Sequence, residues 1–421
     1  MDAIYLLGEV PSFPRRPFTA TPISRVFRDK RPEFCPNPDC PYHERRVARS
    51  FRWFIRYGSF PTRARGSIQR FLCTWCGKTC STQTFSLHYW THLHVDFKTL
   101  DDRLNACSGY RQIGRALLVS YSVLKNRVLR LARNYLNLID TVLVNFRLVE
   151  DVAFDGFESF VGSQYVIDNF NIAVGTKTRI PYLFTLSLFR RKGRMTEAQK
   201  ARRTILDRFW RPERGELVKK CKIAFRDLLS LYLNRRSLTP FTLYTDEKKE
   251  YVHALSALTE SRHLREIGVL RHRTISSRAA RTRSNPLFPV NYIDREIRKN
   301  SAAHVRESVR FDREVNMSAS RMAIVLGYHT FRKPFTISNR ANVDDEPTHA
   351  DQAGLLESAE ARRCFERLYT HRHVWDQQVS KAKWMEDIWQ MRITNPPLLT
   401  ARGKLARCQP GRGWIAGHLL I

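Results

Sequence analysis

A carboxylate interrupts an apolar, strand-like segment of this 421-residue chain. The segment VAFDGFESF (152–160) has the apolar and β-prone residues of a buried strand, and Gly162 follows it. Asp155 lies inside this segment. An ionised carboxylate in a buried strand is costly unless a cation compensates its charge, and a metal ion is the usual compensating group. The alternative is a strand-end aspartate that caps a turn with Gly156, and the choice depends on the acids that follow.

Further strands surround this aspartate in the sequence. NFNIAVG (169–175) and YLFTLSLF (182–189) are predicted strands, and a long helical region separates them from a short strand, 241–245, that ends at Asp246. The order β-β-β-α-β-α-(β)-α is typical of an α/β ribonuclease-H-like domain, in which the first and fourth strands are neighbours. Asp155 and Asp246 are therefore predicted to meet at one edge of the sheet.

A third acid is predicted on a helix that follows a basic, loop-rich segment, 262–284. At ~100° per residue, the apolar residues of this helix share one narrow face, with Asp294 about 70° from its centre and Glu296 about 90° away on the other side. Asp294 is therefore the preferred third ligand and Glu296 the fallback. For both, the alternative is a charged helix face that is exposed to solvent.

Two cysteine pairs near the N-terminus, one C-x4-C and one C-x2-C, predict a metal site. Four thiolates on tight turns can bind Zn²⁺ tetrahedrally, and the residues between them supply the hairpins of a zinc ribbon over 31–96. The zinc would be structural, because four thiolates leave no open coordination position. His43 and Cys80 are spare candidates, and Cys80 falls where such ribbons usually place an apolar residue. Buried free cysteines, the alternative, explain two pairs poorly. The predicted ligands are Cys35, Cys40, Cys73 and Cys76.

The region 97–147 has the pattern of a helix-turn-helix. A short helix over 113–118 is followed by a turn and a longer helix, with Ser120 as the N-cap of the second. A plain helical hairpin that links two domains is the alternative on pattern alone. The predicted recognition residues are Tyr121, Ser122, Lys125, Asn126 and Arg127.

The charge balance points to a polyanionic partner. Lys and Arg number 72 against 40 Asp and Glu, a formal net charge of +32, which favours nucleic acid. No apolar run approaches the ~20 residues that cross a bilayer, and the N-terminus lacks the basic start of a signal peptide. We therefore expect a soluble, cytoplasmic protein whose residues 1–30 form an irregular basic arm.

These motifs together resemble bacterial insertion-sequence transposases of the DDE superfamily. The resemblance runs from about residue 35 to 334 and rests on RFLCTWCGKTCS, YTD and VNYIDREIRK…HVRESVRF…YHTFRKPF. It implies a catalytic domain over 148–335 in which Asp155, Asp246 and Asp294 hold two Mg²⁺ ions. An aspartate in third place departs from the usual glutamate. The resemblance also implies basic residues that could face the DNA backbone, with solvation of a charged helix as the alternative: Arg298, His304, Arg306 and His329.

The implied function is transposition. Such enzymes bind the terminal repeats of their element, cut double-stranded DNA and join the freed 3′-OH to target DNA, generally as oligomers in the bacterial nucleoid. Two other functions compete with it: a nuclease of the same fold that cuts without joining, and a zinc-ribbon and helix-turn-helix regulator, or inactive transposase derivative, without catalysis. The region 336–421 is predicted to be helical, and no site is assigned to it.

Overall fold

The computed structural model of the chain has two compact units, and each is described by itself. The first comprises residues 31–94 and the second residues 95–376. The predicted basic arm (1–30) and the end of the predicted helical tail (377–421) lie outside the described residues. The described residues are 31–37, 39–62, 65–144, 146–233, 239–305, 310–336 and 346–376.

The first unit is a small antiparallel sheet preceded by a tight turn. Trp53 is 1% exposed and stacks on Tyr42, with ring centroids 6.2 Å apart, which gives this small unit an aromatic core. A β-hairpin, formed by residues 54–73, lies between the two cysteine pairs, where the sequence predicted hairpins. The elements are a 3-10 turn (Pro41–His43), α1 (Arg45–Ser50), β1 (Phe54–Thr62), β2 (Gly66–Cys73) and β3 (Thr79–Ser81), with sheet order β1-β2-β3.

The second unit begins with three helices, α2 (Phe97–Asn105), α3 (Tyr110–Ala116) and α4 (Tyr121–Leu143). The Ser120 side chain accepts a hydrogen bond from the Val123 amide at the start of α4, as the sequence predicted for its N-cap. The short-helix, turn and long-helix layout is therefore present.

These helices belong to the same compact unit as the large sheet, so the boundary expected near 147 does not separate two units. Helix α4 packs against a later helix, where Tyr135 lies so close to Gly327 that a Cβ there would be 2.4 Å from the Tyr135 ring. The Tyr135 hydroxyl donates to the buried carboxylate of Asp101 (2.5 Å). Close packing of this kind makes α4 a core helix for most of its length.

A five-stranded mixed sheet is the centre of the second unit. The first three strands form an antiparallel meander, and the last two are parallel to the first of them. The order in the sheet is β6-β5-β4-β7-β8. The strands are β4 (Val152–Val161), β5 (Ser163–Gly175), β6 (Pro181–Arg190), β7 (Phe241–Thr245) and β8 (Leu270–Thr274).

Helices cover both faces of this sheet. Thr185 on β6 donates to the Lys220 carbonyl on one face, and Phe170 on β5 contacts the His304 ring on the other. The chain is therefore a mixed α/β fold. Its remaining elements are α5 (Glu197–Phe209), α6 (Glu216–Leu233), α7 (Lys249–Ser256), α8 (Thr259–Glu266), α9 (Phe288–Asn300), α10 (Val315–Phe331), α11 (His349–Gln352), α12 (Ala359–Glu366) and 3-10 turns at Ala302–His304 and His373–Trp375.

One segment differs from its predicted structure. Residues 262–284 were expected to be loop-rich, but they include the end of α8 and the whole of β8. The sequence of β8, LRHRT, is polar because three of its five residues are exposed at the edge of the sheet, so it lacks the alternating pattern of a half-buried strand. Within the described part of the chain, no helix combines the length and the apolar character needed to span a membrane.

Candidate metal centre and acidic site

The four predicted cysteine ligands converge in the first unit. Their Sγ atoms all lie within 4.8 Å of one another, with Cys35 and Cys76 3.6 Å apart and Cys40 and Cys73 3.7 Å apart. Four thiolates at the usual Zn–S length of ~2.3 Å would lie about 3.8 Å apart in a tetrahedron. The cluster is therefore positioned to bind a metal ion, and its geometry is compatible with zinc.

Backbone hydrogen bonds shape the two turns that carry these cysteines. The Cys35 amide donates to the Tyr42 carbonyl (2.8 Å) and the Cys73 amide to the Lys78 carbonyl (2.9 Å). Gly77 has φ +65°, a conformation that glycine adopts without strain, and its amide donates to the Cys73 carbonyl (3.1 Å). The ligand geometry is thus fixed by the turns.

The two spare candidates do not join the cluster. The His43 ring nitrogen Nδ1 is 2.8 Å from the Cys35 carbonyl oxygen, so His43 braces a turn. Cys80 is buried on β3 outside the four-cysteine group, and burial raises the pKa of its thiol to about 12. Cys80 is therefore an apolar core residue, as the ribbon pattern predicted.

Two of the predicted catalytic acids meet at the sheet. Strands β4 and β7 are parallel neighbours in which Phe154 pairs with Thr245, so Asp155 and Asp246 both come directly after that pair. The Lys248 ammonium bridges them, 3.2 Å from Asp155 Oδ1 and 3.5 Å from Asp246 Oδ2. This cation compensates two carboxylates at the point where the sequence predicted a metal.

Local contacts fix the Asp155 carboxylate. The Gly156 amide donates to Asp155 Oδ1 (2.7 Å), and the Tyr251 hydroxyl donates to the same oxygen (3.3 Å). A side chain at position 156 would clash, because a Cβ there would lie 2.4 Å from Asn169 Oδ1. Gly156 thus orients the Asp155 carboxylate within strand β4. The alternative, an aspartate that caps a turn, is wrong.

Asp246 is held by the turn that starts α7. The Lys248 amide donates to Asp246 Oδ1 (3.0 Å). Burial and the Asp155 charge raise the pKa of Asp246, and Lys248 opposes them. The Asp155 charge therefore raises the cost of ionising Asp246, and a cation near both carboxylates lowers that cost. We refer to these two carboxylates and Lys248 as one electrostatic unit.

Asp294 on α9 shares this electrostatic unit. Burial, and after it the Asp155 charge, raises the pKa of Asp294 to about 7, while Arg298, Arg281 and Lys248 lower it. Its Oδ1 atom is buried and has no hydrogen-bond partner among the described residues. A buried carboxylate oxygen without a partner is costly, and a bound cation would remove that cost.

The fallback ligand Glu296 has a different structural role. It is 7% exposed, and its carboxylate forms an ion pair with Lys333 (2.5 Å) and accepts from Asn300 (3.2 Å). Burial alone would raise the pKa of Glu296, but Lys333 holds it below its ordinary value. The alternative of a solvent-exposed side chain at 296 is therefore wrong, since Glu296 is buried and Lys333 compensates its charge.

The three aspartates are less tightly grouped than the cysteines. Only two groups of three or more potential ligands within the described residues bring their atoms within 4.8 Å of one another, and the aspartates are not among them. Asp155 and Asp246 are joined through Lys248, and Asp294 is coupled to them through its charge. Lys248 is therefore the positive charge at the centre of the acidic site.

The predicted recognition helix exposes only its first residues. Tyr121 is 49% exposed and Ser122 is exposed, whereas the Lys125 ammonium forms an ion pair with Glu314 (2.5 Å). Asn126 Oδ1 accepts from the Arg127 guanidinium (2.9 Å). Arg127 is 4% exposed, so its prediction as a groove-reading residue is corrected: its side of α4 packs into the unit.

Two of the histidines predicted to face DNA are core residues. His304 is 1% exposed, and its ring nitrogens lie 2.8 Å from Ser301 Oγ and 3.3 Å from Ser318 Oγ. His329 is 4% exposed and packs on the His349 ring, with centroids 4.0 Å apart. Both predictions are corrected, because both rings are buried in the interior of the unit.

The two predicted arginines have different outcomes. Arg298 is half-buried, and its guanidinium lies over the Phe157 ring at 4.6 Å from the centroid, on the side of the sheet that carries Asp155. Arg306 lies outside the described residues. Arg298 therefore remains a candidate for a role beside the acids.

Sequence reasoning missed three residues that organise the acidic site: Gly156, Lys248 and Tyr251. Gly156 was noted only as a turn residue. Lys248 follows Asp246 by two positions at the start of a helix, so its proximity could have been read from the strand-to-helix junction. Tyr251 reaches Asp155 only through the packing of α7, for which the sequence carries no local signal.

A pH-dependent stability follows from Asp294. The pKa of Asp294 is about 7 in the folded protein and has its ordinary value of 3.8 in the unfolded chain. The contribution of protonated Asp294 to the free energy of unfolding is therefore present at low pH and is lost as the pH rises from about 4 through 7. We expect Asp294→Asn, without added Mg²⁺, to gain thermal stability relative to wild type between pH 5 and pH 8. Exposed Glu260→Gln should show no such gain. If the melting temperatures of Asp294→Asn and wild type differ by the same amount at pH 5 and at pH 8, Asp294 is not a buried acid with a raised pKa.

Comparison of the chain with protein-family models, with curated proteins and with solved structures finds no match.

Proposed function

We propose that this protein is a DDE transposase that binds the ends of a mobile DNA element and catalyses phosphodiester hydrolysis and strand transfer. One observation carries the proposal: Asp155 and Asp246 follow paired residues of neighbouring parallel strands and share the Lys248 ammonium. Grouped carboxylates of this kind are typical of enzymes that use divalent cations in phosphoryl transfer.

The strand order supports the same proposal. A meander of three antiparallel strands followed by two strands parallel to the first, in the order β6-β5-β4-β7-β8, is the arrangement of ribonuclease-H-like domains, and we assign the α/β region from 148 to 335 to that class. Asp155 on the central strand, Asp246 after its neighbour and Asp294 on α9 then correspond to the three acids of a DDE site.

The donor set suits two Mg²⁺ ions, which Asp155, Asp246 and Asp294 would hold. Mg²⁺ prefers oxygen ligands and keeps positions for water and phosphate, and the unpartnered Oδ1 of Asp294 offers such a ligand. When bound, the ions would activate a water molecule and stabilise the departing 3′ oxygen.

The protein's own groups orient the site. Gly156 and Tyr251 hold one oxygen of Asp155 in place. The Lys248 side chain is 37% exposed, so it can reach a DNA phosphate once cations compensate the aspartates. Arg298 lowers the cost of ionising Asp294. These contacts position the carboxylates before DNA arrives, which is the main requirement of phosphoryl-transfer sites.

DNA binding belongs to the same proposal. A formal charge of +32 favours a polyanionic partner. The four-cysteine ribbon and the exposed start of α4, with Tyr121 and Ser122, are the parts that we assign to the terminal repeats. The expected partners are double-stranded element ends, target DNA and further copies of the chain, in the cytoplasm and on the bacterial nucleoid.

A joining assay tests the proposal against the two competing functions. Full-length protein is incubated with Mg²⁺, a pre-cut element end that carries a free 3′-OH, and a supercoiled target. A transposase should give joined product, and an end that carries a 3′-dideoxy terminus should give none. Cleavage without joining would indicate a nuclease, and binding without either reaction would indicate a DNA-binding regulator or an inactive derivative.

A further inference from the structure

A second group of potential metal ligands lies in the last turn of α12 and in the segment that follows it, a region to which the sequence assigned no site. Cys364, His373 and Asp376 offer a thiol, an imidazole nitrogen and a carboxylate oxygen that all lie within 4.8 Å of one another. Their exposed fractions are 4%, 0% and 7%. The segment is only 13 positions long from first to last, so the three groups converge through local chain folding.

The distances are close to those of a shared metal ion. His373 Nδ1 lies 2.8 Å and Cys364 Sγ lies 3.8 Å from Asp376 Oδ2. Tetrahedral zinc with ordinary bond lengths would set these separations at about 3.3 and 3.5 Å. Movements of about half an ångström, within the reach of side-chain rotation, would therefore admit the ion.

The other carboxylate oxygen is held from outside the group. His371 Nε2 is 3.2 Å and Arg367 Nη2 is 3.4 Å from Asp376 Oδ1. Partners of this kind orient ligating carboxylates in metal sites. Asp376 Oδ2 is thereby directed toward the thiol and the imidazole.

The backbone of the segment is anchored independently of any metal. The Asn134 side chain on α4 donates to the Leu368 carbonyl (2.6 Å) and the His371 carbonyl (3.0 Å), and it accepts from the His373 amide (2.9 Å). Because α4 is a core helix, these bonds preorganise the ligands and lower the entropy cost of assembling them.

We propose that Cys364, His373 and Asp376 bind one zinc ion, separate from the four-cysteine centre. A thiolate, an imidazole and a carboxylate suit zinc, whereas Mg²⁺ and Ca²⁺ prefer oxygen ligands throughout. Thiolate and carboxylate together neutralise the dication in a buried place. The ion would hold the segment from Cys364 to Asp376 against α4, and three protein ligands would leave its fourth coordination position for a further ligand. The proposal does not rest on the proposed DNA chemistry.

Zinc content is the first test. Full-length protein is dialysed against excess Mg²⁺, which competes for oxygen-only sites, and zinc is then measured by mass spectrometry. We expect two zinc ions per chain in wild type, one in Cys364→Ser and one in His373→Gln. Cys107→Ser, which changes a cysteine outside both groups, should retain two. One zinc per chain in wild type would overturn the proposal, as would two in Cys364→Ser.

Cobalt spectroscopy tests the second site in a chain whose first centre has been removed. A full chain with Cys35→Ser, Cys40→Ser, Cys73→Ser and Cys76→Ser loses the first centre and keeps the second. Addition of Co²⁺ should give tetrahedral absorption bands and a thiolate charge-transfer band, and Cys364→Ser in that background should abolish the latter. If the chain that retains Cys364 shows none of these bands, then Cys364, His373 and Asp376 form a hydrogen-bond network without a metal, and the proposal is overturned.

Discussion

Asp155→Asn is expected to lower Mg²⁺-dependent cleavage of an element end by about 1,000-fold or more. The amide keeps the size of the side chain but removes the charge of a metal ligand, and metal-ion stabilisation of a phosphodiester transition state is worth several kcal/mol, at about 1.4 kcal/mol per factor of ten. Asp246→Asn should lose a similar factor. The measurement is the initial cleavage rate at saturating DNA.

The control for this prediction is an acid remote from the site. Glu260 is exposed on α8, and Glu260→Gln removes one charge without touching the aspartates. It should retain full activity, and circular dichroism should show that all variants are folded. An Asp155→Asn rate within tenfold of wild type would contradict the role of Asp155 as a metal ligand.

Loss of zinc from the four-cysteine centre is expected to unfold residues 31–94. The unit is small, and zinc binding to four cysteines contributes on the order of 10 kcal/mol or more to the stability of such modules. Cys40→Ser, which leaves three thiolates, should therefore release zinc and expose this unit to protease. The unit from 95 to 376 has its own core and should stay resistant.

The matched control is the cysteine that lies outside the cluster. Cys80→Ala keeps an apolar residue on β3 and should retain the zinc and the protease resistance of the first unit. Limited proteolysis with mass identification of the fragments distinguishes the variants. A Cys40→Ser protein with full zinc content, or with a protease-resistant first unit, would show that the four thiolates do not form the predicted centre.

Much of the fold could be predicted because its signals are local. The strand that ends before Asp246 was predicted with its observed bounds, since a β-prone run stops there at a charged residue. The cysteine pairs and the Ser120 cap depend on short spacings that the sequence displays directly. The meeting of Asp155 and Asp246 required only a strand order.

The errors concern residues whose environment depends on distant parts of the chain. Helical periodicity placed Glu296 toward solvent, but Lys333, 37 positions later, compensates its charge in the interior. The family resemblance placed His304 toward DNA, yet its ring is buried within hydrogen-bonding distance of Ser301 and Ser318. Arg127 likewise lies on the side of α4 that packs into the unit. No local pattern identifies such partners.

Cleavage of a labelled duplex that carries the element's own end tests whether the acidic site depends on a metal. Wild type is compared with Asp155→Asn, Asp246→Asn, Asp294→Asn and Glu296→Gln in Mg²⁺. We expect cleavage by wild type and by folded Glu296→Gln, and loss of cleavage in the three aspartate variants. Wild type that binds the end but never cuts it, in Mg²⁺ or in Mn²⁺, would contradict a metal-dependent acidic site.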